Sequence, residues 1–326
     1  MDVRELETLR AVRTHGGVTA AAAALHLTPS AVSQQLAGLQ RETGVALTRR
    51  IGRRLELTPA GDALADASID VVVALERARA ACGAFLARPE GRVSVSAFQS
   101  AAWMLLPGLL TRVAALGGID LECSDHDVAQ ADFVALTDRV DVVVAHRPDP
   151  GPAWAAPGEP VRVVPLLREP LDVAVRAGGA LAARDRLRPE DLADAAWITV
   201  REGFPVASVL AAVAARSGVV PRITHRINDF HVVAALVAAG HGVSLLPRYS
   251  CAGLPGVRLV PLAGVRAGRC VDALLRPDRA ERLVVRRVVA ALQAVAAGIQ
   301  PGRGGPSPDD DDPPDTPGRT AGELSR

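Results

Sequence analysis

Leu25-His26-Leu27-Thr28-Pro29-Ser30-Ala31-Val32-Ser33-Gln34-Gln35-Leu36 is the stretch that decides the fold. Thr28 offers a capping oxygen and Pro29 suits a first helical position, so the pair predicts a helix over Pro29–Gln40. Val32, Leu36 and Leu39 make its apolar stripe. The opposite side carries Ser30, Ser33, Gln34, Gln35 and Arg41, hydrogen-bonding groups of the kind that read base edges and phosphates in a major groove. Upstream, Leu6, Leu9 and Val12 form one face of a first helix that stops before Gly16-Gly17, and Thr19 stands as a cap ahead of a compact helix Ala20–Leu25. Downstream, Gly44 turns the chain, and Arg49, Arg50, Arg53 and Arg54 precede Leu55-Glu56-Leu57 as a basic hairpin whose guanidinium groups neutralise phosphates beside the helix. Two short helices, a turn, a capped helix and a basic wing together predict a duplex-DNA reader.

A formal net charge of +1 over 326 residues excludes a uniformly basic protein, so nucleic-acid affinity must be local to this cluster. An apolar content of 49% supplies more than one core. No run of 18 uncharged apolar residues occurs, and acidic residues sit where a signal peptide would be basic, so a cytoplasmic protein without membrane contact is expected. Cys82, Cys123, Cys251 and Cys270 lie too far apart for a metal-binding or redox pair and are expected reduced.

From Pro59 a long helix runs to about Ala87, with Leu64, Ser68, Val71, Leu75, Ala78, Cys82 and Phe85 at alternating spacings of four and three. That seam predicts a dimerising linker over 59–91, the alternative being a helix packed on its own chain. Residues 92–298 alternate strand-like and helical runs, which reads as α/β with largely parallel sheets. Ten strands are expected in two sheets, with Val161–Leu166 and Leu171–Val175 separate, and helices near Ala101–Ala115, Pro205–Ser217, Asp229–Ala239 and Arg279–Ala297. Residues 299–326, Pro/Gly-rich with an Asp309–Asp312 block, are expected to be a disordered tail.

The residues 1–65 resemble the LysR-type transcriptional regulators, through Leu6-Glu7-Thr8-Leu9, Thr19-Ala20-Ala21-Ala22, the stretch from Leu25 to Leu36, and Leu57-Thr58-Pro59-Ala60-Gly61. Ala238-Ala239-Gly240-His241-Gly242-Val243-Ser244-Leu245-Leu246-Pro247 extends the resemblance downstream. Gln40, Thr43 and Thr48 depart from it, standing where the family usually has Glu, Leu and Phe, and the loss of a large side chain at Thr48 implies a less stable winged domain. The resemblance implies an N-terminal all-α winged helix-turn-helix, a linker helix, and two Rossmann-like α/β subdomains like those of type 2 periplasmic binding proteins. Subdomain I would be 92–165 with 268–298 and subdomain II 166–267, with a small-molecule effector in the cleft between them. The implied partners are duplex DNA at a dyad-related operator, the effector and further copies of the chain, as homodimer or homotetramer; RNA polymerase is a further candidate.

Ligands in α/β sheets bind beyond the carboxyl ends of strands, where helix N-termini present free N–H groups. Gln99 and Ser100, His146 and Arg147, and Thr199 with Arg201 and Gly203 occupy such places and are the effector candidates. Capping or loop hydrogen bonding is the alternative for Ser100 and Thr199, a solvated turn for His146 and Arg147, and helix capping for Asn228-Asp229. An enzyme fused to a DNA-binding module is the rival class, but no Walker loop, Gly-x-Ser-x-Gly elbow or His-Glu-x-x-His motif occurs. Ser124-Asp125-His126-Asp127 reads as a solvated turn, and His225, His231 and His241 lack ligand spacing, so no catalytic residue, metal or cofactor is expected. A purely architectural DNA binder would not need so large a second half.

Overall fold

The computed structural model describes residues 1–52, 54–83, 90–152, 154 and 161–299. The N-terminal region opens with α1 (Val3–His15), α2 (Val18–Ala24) and α3 (Pro29–Thr43). Asp2 caps α1 and Glu5 returns the bond to the Asp2 backbone, while Gly16, with φ 75°, closes it in the left-handed region. Thr19 is not the cap of α2. Gly17 takes that position, because two consecutive glycines with positive φ reverse the chain two residues sooner and let the helix start at Val18. Thr28 caps α3 through the Ala31 N–H, but the helix continues past Gln40 to Thr43, since nothing breaks it before Gly44 at φ 70°.

Strands β1 (Thr48–Ile51) and β2 (Arg54–Leu57) pair antiparallel with Thr48 opposite Leu57, making the wing. Leu6, Leu9, Val12, Val32, Leu36, Leu39, Leu47 and Leu57 fill one core with Ala65 of the next helix. That helix, α4, spans Pro59–Gly83. Its buried face is Gly61, Ala65, Ser68, Ile69, Val72 and Val73, because α4 packs on α1 of its own chain and on a later helix, α9 (Pro277–Glu281). The heptad expectation is therefore corrected at Ser68, which faces inward with its hydroxyl donating to the Ala65 carbonyl. Leu64 and Leu75 are half-buried, Val71, Ala78 and Cys82 are exposed, and Phe85 lies outside the described residues.

The chain divides into two compact units. Among the described residues, the first takes Met1–Ala145, Ala153–Leu166 and Val271–Ala296; the second takes His146–Pro152, Leu167–Cys270 and the last residues of the final helix. In the first, β3 (Gly91–Ala97) lies parallel to β4 (Ile119–Asp125) and to β5 (Val142–Pro148), with Val95 opposite both Cys123 and Val142. Helix α5 (Gln99–Leu116) links β3 to β4, and a short α6 (Phe133–Leu136) precedes β5. In the second, the latter half of β6 (Arg162–Arg176) pairs antiparallel with β9 (Ser244–Pro247) and β10 (Val257–Val260). There too β7 (Ala196–Thr199) runs parallel to β8 (Arg222–Arg226), flanked by α7 (Pro205–Ser217) and α8 (Phe230–Ala238). Leu171, Val173, Trp197, Val206, Leu210, Val213 and Leu245 are its core. Strand β11 (Gly268–Leu275) leads back to α9 and α10 (Leu283–Ile299).

Three expectations change. The runs 161–166 and 171–175 are one strand, β6, since Glu169 is fully buried yet neutralised by Arg269 and so does not interrupt it. Strands β9 and β10 are antiparallel to β6, so the sheets are mixed rather than largely parallel. The last helix is broken at Arg282, whose backbone is extended and whose guanidinium bonds Asp141 at 2.8 Å and the Arg92 carbonyl at 3.0 Å. No helix among the described residues is long and apolar enough to cross a membrane.

Candidate nucleic-acid interface and effector site

Helix α3 buries Val32, Leu36 and Leu39 and leaves Ser30, Ser33, Gln34 and Arg41 exposed, as are Thr28 and Pro29 at its start. The Thr28 hydroxyl lies 3.0 Å from that of Ser30, and Ser33 donates to the Pro29 carbonyl at 2.9 Å, which leaves the Ser33 oxygen as an acceptor. Gln35 is withdrawn from this face. It is half-buried, and its Oε1 accepts from the Thr8 hydroxyl, tying α3 to α1. Arg49 and Arg50 are exposed on β1, with Gly52 at φ 62° turning the hairpin. Arg54 begins β2, while Arg53 and the Arg54 side chain lie outside the described residues.

The two departures at Gln40 and Thr48 prove to be partners. Gln40 Oε1 accepts from Leu47 N at 2.9 Å, Thr48 N at 3.1 Å and the Thr48 hydroxyl at 3.2 Å, so α3 is stitched to the wing by polar contacts where a large apolar side chain is missing. Thr48 is therefore held by Gln40 rather than by apolar packing. Beside this pair a groove of about 560 Å³ is lined by Gly16, Gly17, Ser33, Gln40, Thr48 and Arg50.

In the first unit, Phe98 is the N-terminal cap of α5, with Gln99 exposed and Ser100 half-buried in the first turn, so Ser100 is not a capping residue. Ser124 and Asp125 belong to β4 rather than to a turn, and His126 Nδ1 lies 2.9 Å from the buried Ser96 hydroxyl.

The second unit holds the other candidates. His146 is buried within β5, its ring 5.8 Å from that of Phe204, and is no solvated turn. Burial first, then the Arg269 guanidinium, push its pKa down to about 3, so the imidazole is neutral at physiological pH. Arg147 follows it, half-buried. Thr199 ends β7, 2% exposed; its carbonyl accepts from Ile227 N at 2.7 Å, while its hydroxyl oxygen is buried without a hydrogen-bond partner. Arg201 N donates to Asn228 Oδ1 at 2.9 Å, and the Arg201 guanidinium lies 5.8 Å from the Phe204 ring centre. Gly203, at φ 86°, turns the chain into Phe204, the cap of α7. Asp229 caps α8 through the His231 and Val232 N–H groups, as the capping alternative expects. Thr199 at the end of β7, Arg201 and Gly203 thus lie on one short stretch of chain leading into α7.

Sequence reasoning missed the buried polar centre beneath this site. Arg269 and Glu169, 3% and 0% exposed, pair at 2.6 Å, and Glu169 also accepts from Tyr249 N, Ser250 N and the Ser250 hydroxyl. Burial and the Glu169 carboxylate push the nearby Cys251 thiol up to about 12, so it stays protonated. No group of three potential metal ligands comes together among the described residues.

An unpartnered buried hydroxyl carries a desolvation cost with no compensating bond. Thr199→Val should therefore raise stability, by about 1 kcal/mol. Denaturant unfolding of the full chain checks this; a loss of stability would show that the hydroxyl is satisfied within the fold.

A helix-turn-helix with an exposed polar helix face and a basic wing, joined to paired α/β units, defines a DNA-binding transcriptional regulator with an effector-binding domain. A family model described as the LysR substrate binding domain matches residues 86–297, and one described as a bacterial regulatory helix-turn-helix protein of the lysR family matches 3–62. The chain belongs to the LysR family. It is 30% identical over 282 residues to the HTH-type transcriptional regulator TfdS of Cupriavidus pinatubonensis, covering 82% of this chain and 90% of that one. Among solved structures, full-length OxyR from Pseudomonas aeruginosa shares the fold with a TM-score of 0.67 at 20% identity, covering 91% of this chain and 97% of that one. ArgP from Mycobacterium tuberculosis does so with a TM-score of 0.60 at 22% identity, over 93% of this chain and all of that one (100%).

Proposed function

We propose that this LysR-family regulator acts in the cytoplasm, binding a dyad-related duplex site as a homodimer or dimer of dimers and answering to a small-molecule effector that it does not consume. The observation that carries the DNA half is the exposed face of α3, Ser30, Ser33, Gln34 and Arg41, beside the exposed Arg49 and Arg50 of the wing. Side chains on such a helix read base edges, and guanidinium groups beside it take phosphates, with Arg53 and Arg54 continuing the basic run in sequence. Val71, Ala78 and Cys82, exposed on α4, supply an apolar strip for pairing linker helices. RNA polymerase is the further partner that a bound regulator would meet.

The effector half rests on Thr199, Arg201 and Gly203, with His146 and Arg147 in the same unit; an organic anion suits a hydroxyl, N–H groups and a guanidinium. The roles read for Gln99 and Ser100 in the first unit remain proposals of their own. A non-catalytic protein is the better account, because the polar residues of this site include no nucleophile held by a base and an orienting group.

The division of labour in the DNA half can be separated by salt. Duplexes enriched from a random library by the wild-type chain are the probe. Gln34→Ala should cost about 1–3 kcal/mol on enriched duplex and little on the unselected library, whereas Arg50→Ala should weaken both and lower the salt slope by about one unit. An unchanged salt slope in Arg50→Ala would remove the wing from the interface.

A further inference from the structure

Helix α1 of the DNA-binding region touches α9, some 270 residues along the chain by the numbering of its ion pair, Arg10 with Asp278. The side chains are only 12% and 17% exposed, yet the pair makes a single contact of 3.4 Å. Arg10 Nε and Asp278 Oδ1 are both buried without a hydrogen-bond partner. Contrast Arg248 and Asp172, which make two parallel contacts of 2.7 Å each. A dehydrated ion pair that leaves a donor and an acceptor unmet is held less tightly than one whose polar atoms are all bonded. The Arg10–Asp278 contact is thus a modest bias between a closed and an open arrangement rather than a fixed tie.

What lies on either side of it is firmly built. On one side, Arg13 pairs with Asp66 of α4 at 2.7 Å, and Thr8 binds Gln35 of the recognition helix, so α1 moves with α3. On the other, Arg276 bonds Asp138 at 2.8 Å and Arg279 bonds the Asp138 carbonyl at 2.8 Å, while Arg282 bonds Asp141. Asp141 also accepts from the Ser94 N–H at 2.9 Å, anchoring the end of α9 to the middle of β3. Arg10–Asp278 thus joins two hydrogen-bonded clusters directly, beside the packing of α4 on both α1 and α9.

We propose that α9 is a docking plate for the DNA-binding domain, and that Arg10–Asp278 is a latch that favours one orientation of α1 and α3 upon it. The latch sets how the recognition helix is presented to a duplex site without touching the DNA. It acts on specific binding, where two recognition helices must be placed together, and not on phosphate affinity. The proposal rests on the DNA-binding function proposed above.

The test measures affinity for library-enriched duplex and for the unselected library with Arg10→Gln, Asp278→Asn, the two combined, and the exchanged pair Arg10→Asp with Asp278→Arg. Each single variant should lose about fivefold on enriched duplex and nothing on the library, the combined variant should lose no more than either single, and the exchange should recover most of the loss. Equal affinity, a gain, an equal loss on both duplexes, additive losses, or no recovery in the exchanged pair overturns the latch. If the wild-type chain enriches no duplex, it is the DNA-binding function that fails instead.

Discussion

Arg269→Ala should unfold the second unit at ordinary temperature or come close to doing so. The guanidinium is 3% exposed and is the cation paired with Glu169, which has no exposure to water. Removing it strands a buried carboxylate whose remaining bonds, from Tyr249 N, Ser250 N and the Ser250 hydroxyl, cannot replace a full charge. Breaking one half of such a pair typically costs about 3–5 kcal/mol. The Arg269 guanidinium also stands 5.9 Å over the Phe230 ring, so some packing goes with it. Replacing both partners together, Glu169→Leu with Arg269→Met, should recover much of the loss, since apolar side chains need no compensation there. Denaturant unfolding of the three chains decides it; a single variant as stable as wild type would mean that the pair is hydrated.

The second large effect concerns Gly61, at the junction of wing and linker helix. A Cβ at this position would lie 2.0 Å from the Leu47 carbonyl oxygen and 3.0 Å from its carbon. That carbonyl already accepts the Thr58 N–H at 3.0 Å, so it cannot swing aside without opening the base of the wing. Helix propensity alone makes Gly61→Ala stabilising by about 1 kcal/mol. The close approach predicts the reverse, a loss of about 3 kcal/mol in the DNA-binding domain, with duplex affinity falling as the wing shifts. Thermal unfolding of the variant chain distinguishes the two signs.

The parts of the molecule that the sequence made legible are those whose causes are local. Thr28-Pro29 and Gly44 bracket α3 within one stretch, Val32, Leu36 and Leu39 repeat at helical spacing, and Arg49 and Arg50 sit in a short hairpin that can bury little else. Where a partner lies far along the chain, local pattern misleads. Nothing in the sequence near Gln35 signals that Thr8 of α1 bonds its oxygen. The runs on either side of Glu169 look like separate strands, and the partner that lets Glu169 be buried between them, Arg269, comes one hundred positions later. Ser68 fits a seam between chains by spacing, yet α1 and α9 cover its side of α4. His146 sits beside an arginine in a segment that reads as a turn, but β5 continues through it and buries the ring. Thr199 was legible as the residue at a strand end; that its hydroxyl has no partner follows only from the packing around it.

The most direct test of the account is hydroxyl-radical footprinting of the full-length chain on a duplex enriched from a random library. Two recognition helices related by a twofold axis should protect two related half-sites, separated by about one helical turn or a multiple of it, with matching dyad symmetry in the enriched sequences. A footprint confined to one asymmetric patch, from a chain that light scattering shows to be a monomer, would contradict it.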